Sequence, residues 1–337
     1  MTDNRRFHLA KRPEGTPGDD TFDLREVDRP DPGPGEALVR VLFLSVDPYM
    51  RGRMSAAESY ADPWEVDGPL YGAAVCEVIE SNGATVDEGA TVVGNVPWAE
   101  YAAVDGSDLT PVDTGELPVS TALGVLGMPG RTAYFGTREV AQPRAGDTMV
   151  VSGAAGAVGS VVGQLAELQG ADAVGVAGTD EKVEWLTEEL GFSAGINYDT
   201  EDVGARLNDL TDGVDAYFDN VGGPVTDAVF PRLDVDARVA VCGQIALYNA
   251  EERPTGPRKL SDLIRTRASV EGFLVGDFAP RFAEATAFLR DRVASGDLSY
   301  RETVTEGFEN APDAFLGLFE GENVGKQVVK VADPDGE

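Results

Sequence analysis

The stretch that most constrains this chain is residues 153–159, GAAGAVG, in which glycine recurs at every third position between a short apolar run and a helical pattern. Residues 148–152 read as a strand and residues 160–169 as a helix, so the turn falls at a strand-to-helix junction. Glycine lacks the Cβ that holds other groups away, and a helix N-terminus offers open N–H groups and the positive end of a dipole. That combination suits a diphosphate, and G-x-x-G-x-x-G is a variant of the G-x-G-x-x-G turn that cradles dinucleotides. Glycine-rich turns are common, so the motif alone is weak; its setting between strand and helix strengthens it.

The setting repeats. Strand-like runs at 173–177, 214–218 and 238–242 alternate with helical stretches at 182–190 and 225–233, the pattern of βαβ units and a doubly wound parallel sheet of the Rossmann kind. Upstream the texture differs. Apolar runs at 37–44, 70–79, 91–96 and 100–104 are broken by Gly, Pro and Asp, which predicts an antiparallel β domain. Residues 327–331 alternate like an edge strand. A chain of 337 residues exceeds one ordinary core, so two domains are expected.

The end of the second strand of a dinucleotide fold separates NAD from NADP, because NAD enzymes place a carboxylate there for the ribose 2′-hydroxyl. Here the strand runs into Gly178, Thr179, Asp180, Glu181 and Lys182. The first positions are small or hydroxylic, and Lys182 can reach a 2′-phosphate from the start of the next helix, so NADPH is favoured. Asp180 and Glu181 argue for NAD if they point inward. A Lys182 that is only a solvated helix residue is the plain alternative.

Charge bounds the partners. Fifty-nine acidic residues face 27 basic ones, a net of −32, and only five residues are lysine. Such a surface repels nucleic acid and anionic membranes. An acidic excess with little lysine suits a halophilic protein in molar salt, where the Debye length is only about 3 Å. No apolar run is long enough to span a membrane, and residues 1–9 carry charges where a secretion signal would be apolar, so a cytoplasmic protein is expected.

Metal chemistry finds few donors. The chain holds one histidine, His8, and two separated cysteines, Cys76 and Cys242, each in an apolar strand where cysteine acts as a small hydrophobe. A catalytic zinc needs a Cys/His set, so none is expected. Without such help the hydride acceptor should be a conjugated C=C–C=O compound or a quinone.

Several blocks then resemble one family: LSVDPYMRGRM (44–54), MPGRTAYFG (128–136), VSGAAGAVGSVVGQLA (151–166), AGTDEKVEWL (177–186), YFDNVGG (217–223), CGQIALYN (242–249), GPRKLSDLI (256–264) and NVGKQVVKV (323–331). They are similar to the zinc-independent medium-chain reductases, in the branch of prostaglandin reductase, plant double-bond reductases and curcumin reductase. The resemblance runs from about residue 38 to 331. It implies a GroES-like β-rich catalytic domain from residues 1–124 and 298–337 around a Rossmann NADP-binding domain at 125–297, and a homodimer. It implies hydride transfer from NADPH to the β-carbon of an enal or enone, with protonation at Cα.

By motif, the resemblance assigns the pyrophosphate turn to Ala155, Gly156, Ala157 and Val158, and the 2′-phosphate side to Lys182 and Tyr198. Asn220 falls near the nicotinamide, Cys242 and Tyr248 on the following loop, and Asn323 on the far side. Tyr49 is the candidate near the substrate carbonyl, where a phenol can stabilise the enolate oxygen; a tyrosine that merely packs is the alternative. Arg51 and Arg53 beside it either attract an anionic substrate tail or form structural ion pairs. Plant double-bond reductases carry a tyrosine after GPR-x-L where this chain has Arg265, so neither the acid at that place nor the plant-type phenylpropenal substrates carry over by motif. A quinone reductase of the ζ-crystallin kind, and an NADPH-binding protein without turnover, are the competing readings.

Overall fold

The structure, a computed structural model, describes residues 2–252 and 254–333; Met1, Arg253 and residues 334–337 lie outside it. Two compact units divide the chain. Leu123 and the residues before it, Glu302–Asn323, and the residues from Gln327 onward form the first; Gly124–Arg301 with Val324–Lys326 form the second.

The first unit opens with a hairpin of β1 (Thr2–Leu9) and β2 (Phe22–Asp28). It continues through β3 (Glu36–Ser45), β4 (Tyr71–Ser81), β5 (Thr91–Pro97), β6 (Tyr101–Asp105) and the short β7 (Thr110–Pro111). The apolar runs at 37–44, 70–79, 91–96 and 100–104 become β3 to β6, paired antiparallel. Their inward residues pack around Trp98, which meets Phe7 edge-on at 6.2 Å and Phe315 at 6.4 Å between ring centroids.

The second unit is a six-stranded parallel sheet of β8 (Thr148–Ser152), β9 (Asp172–Ala177), β10 (Ala194–Asn197), β11 (Val214–Asp219), β12 (Leu233–Val241) and β13 (Ser269–Gly272). Their order is β10-β9-β8-β11-β12-β13, and every registered pair is parallel. In chain order this is 3-2-1-4-5-6, the doubly wound dinucleotide-binding arrangement. Both faces of such a sheet are covered, which explains why β8 and β11 read as nearly unbroken apolar runs. The helix Gly159–Leu168 is buried along its first eight residues, so it lies against the sheet and cannot be a surface helix.

The chain then returns to the first unit's sheet through β14 (Glu302–Glu306) and β15 (Lys326–Lys330), giving the order β14-β15-β3-β4-β5-β7 with β6 also on β3. Here one expectation is overturned. The alternation of residues 327–331 suggested an edge strand, but β15 lies between β14 and β3, and Lys326, Gln327, Val328 and Val329 are all buried. Polar residues give the strand an alternating look, whereas their burial follows from pairing on both sides.

Candidate active site

The glycine turn connects β8 to the helix Gly159–Leu168 at the sheet's carboxyl edge. Gly156 N–H donates to the Gly153 carbonyl at 3.0 Å, and Ser160 N–H donates to the Gly156 carbonyl at 3.1 Å, closing a compact loop. At Gly159 a Cβ would stand 2.4 Å from the Gly153 carbonyl oxygen and 2.7 Å from Ala154 Cα. Only glycine lets the helix start that near the strand. Val158 precedes the helix and supplies no side-chain cap, while Ser160 and Val161 N–H already donate to the Gly156 and Val158 carbonyls, so an anion would meet the turn ahead of Ser160. A second strand of backbone flanks the turn: Gly325 N–H donates to the Ala155 carbonyl at 2.8 Å, and Gly156 bridges Gly325 in parallel. Asn323 sits two residues before Gly325 and is half-buried.

At the end of β9, Thr179 caps the next helix, its hydroxyl oxygen accepting from Lys182 N–H at 3.2 Å. Asp180 is occupied, since its Oδ1 accepts from the Asn197 amide at 2.6 Å. Lys182 is half-buried, and burial lowers its pKa while Glu181 and Asp199 oppose that shift. Tyr198 extends β10, and its hydroxyl lies where a Cβ on Gly178 would come within 2.7 Å. Lys182 and Tyr198 thus both belong to the segments bordering the carboxyl end of β9.

On the other side of β8 the chain reverses direction, and Asn220 follows β11 there. Its side-chain amide donates to the Ser152 carbonyl at 2.8 Å and its N–H to Ser152 Oγ at 2.9 Å. Beneath it lies Asp219, 1% exposed, a residue the sequence did not single out. Asp219 Oδ1 accepts from Ser152 Oγ at 3.0 Å, Tyr217 hydroxyl at 2.9 Å, Val221 N–H at 3.1 Å and Gly222 N–H at 2.8 Å. Its Oδ2 accepts from Thr226 Oγ1 at 2.7 Å and Gln244 Nε2 at 2.9 Å. The signal was the carboxylate ending an apolar strand in YFDNVGG, legible only once its donors are assembled.

Cys242 and Tyr248 lie on the loop after β12, whose Cys242 and Gly243 N–H groups donate to the Asp219 carbonyl at 2.9 and 3.1 Å. Burial, with a smaller effect from Asp219, pushes the Cys242 thiol up to about 12, which favours the protonated thiol. Tyr248 hydroxyl accepts from Gln244 N–H at 3.3 Å, and burial raises its pKa.

In the first unit Tyr49 opens a one-turn helix, Met50–Arg53, and packs against the core. Burial, then the neighbouring Asp47 carboxylate, raises its pKa well beyond the ordinary phenol value, against a weaker opposing effect of Arg53. The phenol therefore keeps its proton and can act as a hydrogen-bond donor. Its two arginine neighbours both donate to backbone carbonyls. Arg51 is buried and donates to the Gly15 and Pro13 carbonyls at 2.8 and 3.3 Å, so it staples the loop before β2. Arg53 donates to the Asp62 carbonyl at 3.0 Å and lies over the Trp64 ring. Arg265 is exposed and donates to the Pro231 carbonyl at 3.3 Å.

His8 is buried in the β1–β2 hairpin, with Nδ1 2.7 Å from the Asp67 carbonyl and Nε2 accepting from Arg6 at 3.0 Å. Cys76 lies inside β4. Among the described residues, no three His, Cys, Asp or Glu side chains cluster closely enough to hold a metal ion.

A 3-2-1-4-5-6 parallel sheet with a glycine turn at its first strand, joined to an antiparallel β unit drawn from both flanks of the sequence, defines a two-unit dinucleotide-dependent oxidoreductase. Comparison with known proteins gives the family. Residues 5–112 match the N-terminal domain of oxidoreductase, and residues 157–291 match zinc-binding dehydrogenase. The chain is 43% identical to NADPH-dependent curcumin reductase of Escherichia coli, over 98% of each sequence. It is 39% identical to 2-alkenal reductase (NADP(+)-dependent) of Nicotiana tabacum, again over 98% of each. The crystal structure of CurA in complex with NADPH from Vibrio vulnificus superposes with a TM-score of 0.93 at 44% identity, covering 98% of this chain and 100% of that one. The chain belongs to the medium-chain dehydrogenase/reductase family, in the branch that contains curcumin reductase.

Proposed function

We propose that this protein is a zinc-independent, NADPH-dependent alkene reductase acting on α,β-unsaturated aldehydes and ketones. The observation that carries the reading is full-length likeness to curcumin and 2-alkenal reductases, joined to a turn whose geometry fits the cofactor. The fit rests on three features: the uncapped start of Gly159–Leu168 behind the glycine turn, the glycine-only approach at Gly159, and Lys182 beside the carboxyl end of β9 with Asp180 already tied to Asn197. Bound NADPH supplies a hydride to the substrate β-carbon.

Ala155, Gly156, Ala157 and Val158 hold the pyrophosphate, and Lys182 and Tyr198 hold the 2′-phosphate. Asn220, Cys242, Tyr248 and Asn323 contribute on the nicotinamide side. Tyr49 donates its phenol hydrogen to the substrate carbonyl oxygen, and that bond strengthens as the oxygen becomes enolate-like. Burial, which raises the pKa of the phenol, favours the neutral, hydrogen-bond-donating form that this role requires.

A homodimer is supported by β13, an exposed edge strand of the parallel sheet, and by nearby Leu260 and Ile264, 76% and 82% exposed. A cytoplasmic setting suits an enzyme that consumes NADPH, and the net charge of −32 suits molar salt. No helix among the described residues is long and apolar enough to cross a membrane.

The test is NADPH oxidation in molar KCl with a 2-alkenal, a cyclic enone and a benzoquinone, with NADH as the control. Saturated C=C product from the alkenal or enone is expected. Turnover of quinone alone, or NADPH binding without turnover of any acceptor, refutes the proposal.

A further inference from the structure

We infer that Asp219 is a positioning residue for the nicotinamide half of the cofactor: its carboxylate gathers six donors into one node that fixes Asn220 and the loop 242–248. The inference rests on the cofactor reading above and adds a role for a buried group that does not itself touch the ligand.

Three properties single out this node. The six donors come from β8, β11, the turn after it, the helix Gly223–Val229 and the loop after β12, so one side chain ties five segments. Asp219 holds the last of these three times, through its carbonyl to the N–H groups of Cys242 and Gly243 and through Oδ2 to Gln244. The Ser152 hydroxyl relays the effect, accepting from Asn220 N–H while donating to Oδ1. A core of this polarity costs desolvation and is favourable only when every partner is satisfied. Simple packing does not require it. The node also lies at the carboxyl ends of the neighbours β8 and β11, where the strand order reverses, the place at which doubly wound sheets bind ligands.

The two carboxylate oxygens differ in how they tolerate change. Oδ1 faces two backbone N–H groups, which can only donate. Oδ2 faces a hydroxyl and a side-chain amide, both of which can turn to accept. In Asp219→Asn the new NH2 therefore settles at the Oδ2 position. The fold survives, but Gln244 must flip and give up its 3.0 Å bond to the Gly243 carbonyl. Gln244→Ala removes the same tether from the other end.

The experiment measures binding by each variant of two ligands: NADPH, and adenosine 2′,5′-bisphosphate, which carries the 2′-phosphate but no nicotinamide. NADPH Kd is expected to rise on the order of tenfold in both variants, with weakened fluorescence of the bound nicotinamide. The Kd of the bisphosphate should stay within about twofold, because its proposed contacts lie after β9, on the other side of β8 from the node. Equal weakening of both ligands means that Asp219 only maintains the fold, and unchanged NADPH binding means that the node positions nothing; either result overturns the inference. If the unaltered protein binds neither ligand, the cofactor reading itself has failed, a distinct outcome that removes the inference with it.

Discussion

Replacing Lys182 by Met tests the cofactor assignment at its most specific point. The stem remains, the thioether fills a similar volume, and only the ammonium is lost. A hydrogen bond to a charged group contributes about 1.5–3 kcal/mol, which corresponds to a roughly 10- to 100-fold change in affinity. Two features of the site place the effect within that range. Burial, which lowers the Lys182 pKa, means that part of the ammonium's hydration is already absent before a phosphate arrives, which favours the upper half. Glu181 and Asp199 already compensate that charge, which holds the effect below the maximum. Initial rates with NADPH and NADH should be taken at one fixed molar KCl concentration, because salt screens all but direct contacts. The expected result is an NADPH KM raised by that factor, kcat at saturation nearly unchanged, and kcat/KM for NADH unaffected. If kcat/KM falls equally for the two cofactors, Lys182 supports structure and does not read the phosphate. The same residue sets a pH signature. Its pKa lies below the ordinary lysine value, so the ammonium is lost earlier than usual as pH rises. The preference for NADPH over NADH should therefore decline on the alkaline side, and no such decline should remain in Lys182→Met.

Tyr49→Phe should lower kcat/KM with a good enone by about 2.7–4 kcal/mol in barrier while leaving NADPH binding intact; unchanged turnover in a rate assay would remove the phenol from the mechanism. Gly159→Ala forces a Cβ to within 2.4 Å of backbone at Gly153, so a destabilisation of about 1–3 kcal/mol and weakened NADPH binding are expected. An unaltered melting curve and Kd would show that the turn has more slack than its geometry implies. Burial raises the pKa values of Cys76 and Tyr217, so each group ionises more readily in the unfolded chain than in the folded one. Their contribution is complete below the unfolded pKa values, near 9 and 10, and is lost as pH rises above them, by at most about 1.4 kcal/mol per pH unit per group. Urea titrations at rising alkaline pH should show that loss, and Cys76→Ala should remove the component that begins near pH 9.

What the sequence disclosed was local. The glycine turn, β8 and the following helix are adjacent in the chain, so their chemistry could be read in order. The place of Lys182 in the helix after β9 was legible for the same reason. The position of β15 was not, because its neighbours β14 and β3 are remote or intervene out of order, and alternation cannot distinguish an edge from a strand whose polar residues are buried. Arg51 could be read from the sequence as an anion receptor or an ion-pair partner, but its bonds to carbonyls 36 and 38 residues upstream could not. Asp219 shows the limit most clearly. Its donors range from two to 67 residues away, and a single carboxylate at a strand end carries no mark of that convergence.

The bond from Gly325 to the Ala155 carbonyl has a consequence for how the protein is made. The turn at 153–159 leaves the ribosome long before Gly325 is synthesised, yet its outer wall consists of that late segment. Gly325 adopts φ of +68°, and a Cβ there would fall 2.0 Å from the Arg301 carbonyl oxygen, so the segment docks through a conformation that strongly favours glycine. A nascent chain halted near residue 320 can pair most of its parallel sheet but has no wall for the turn. Completion of this outer wall thus reports that translation has passed Gly325, and NADPH-dependent protection from proteolysis is expected only in chains extended beyond Lys326.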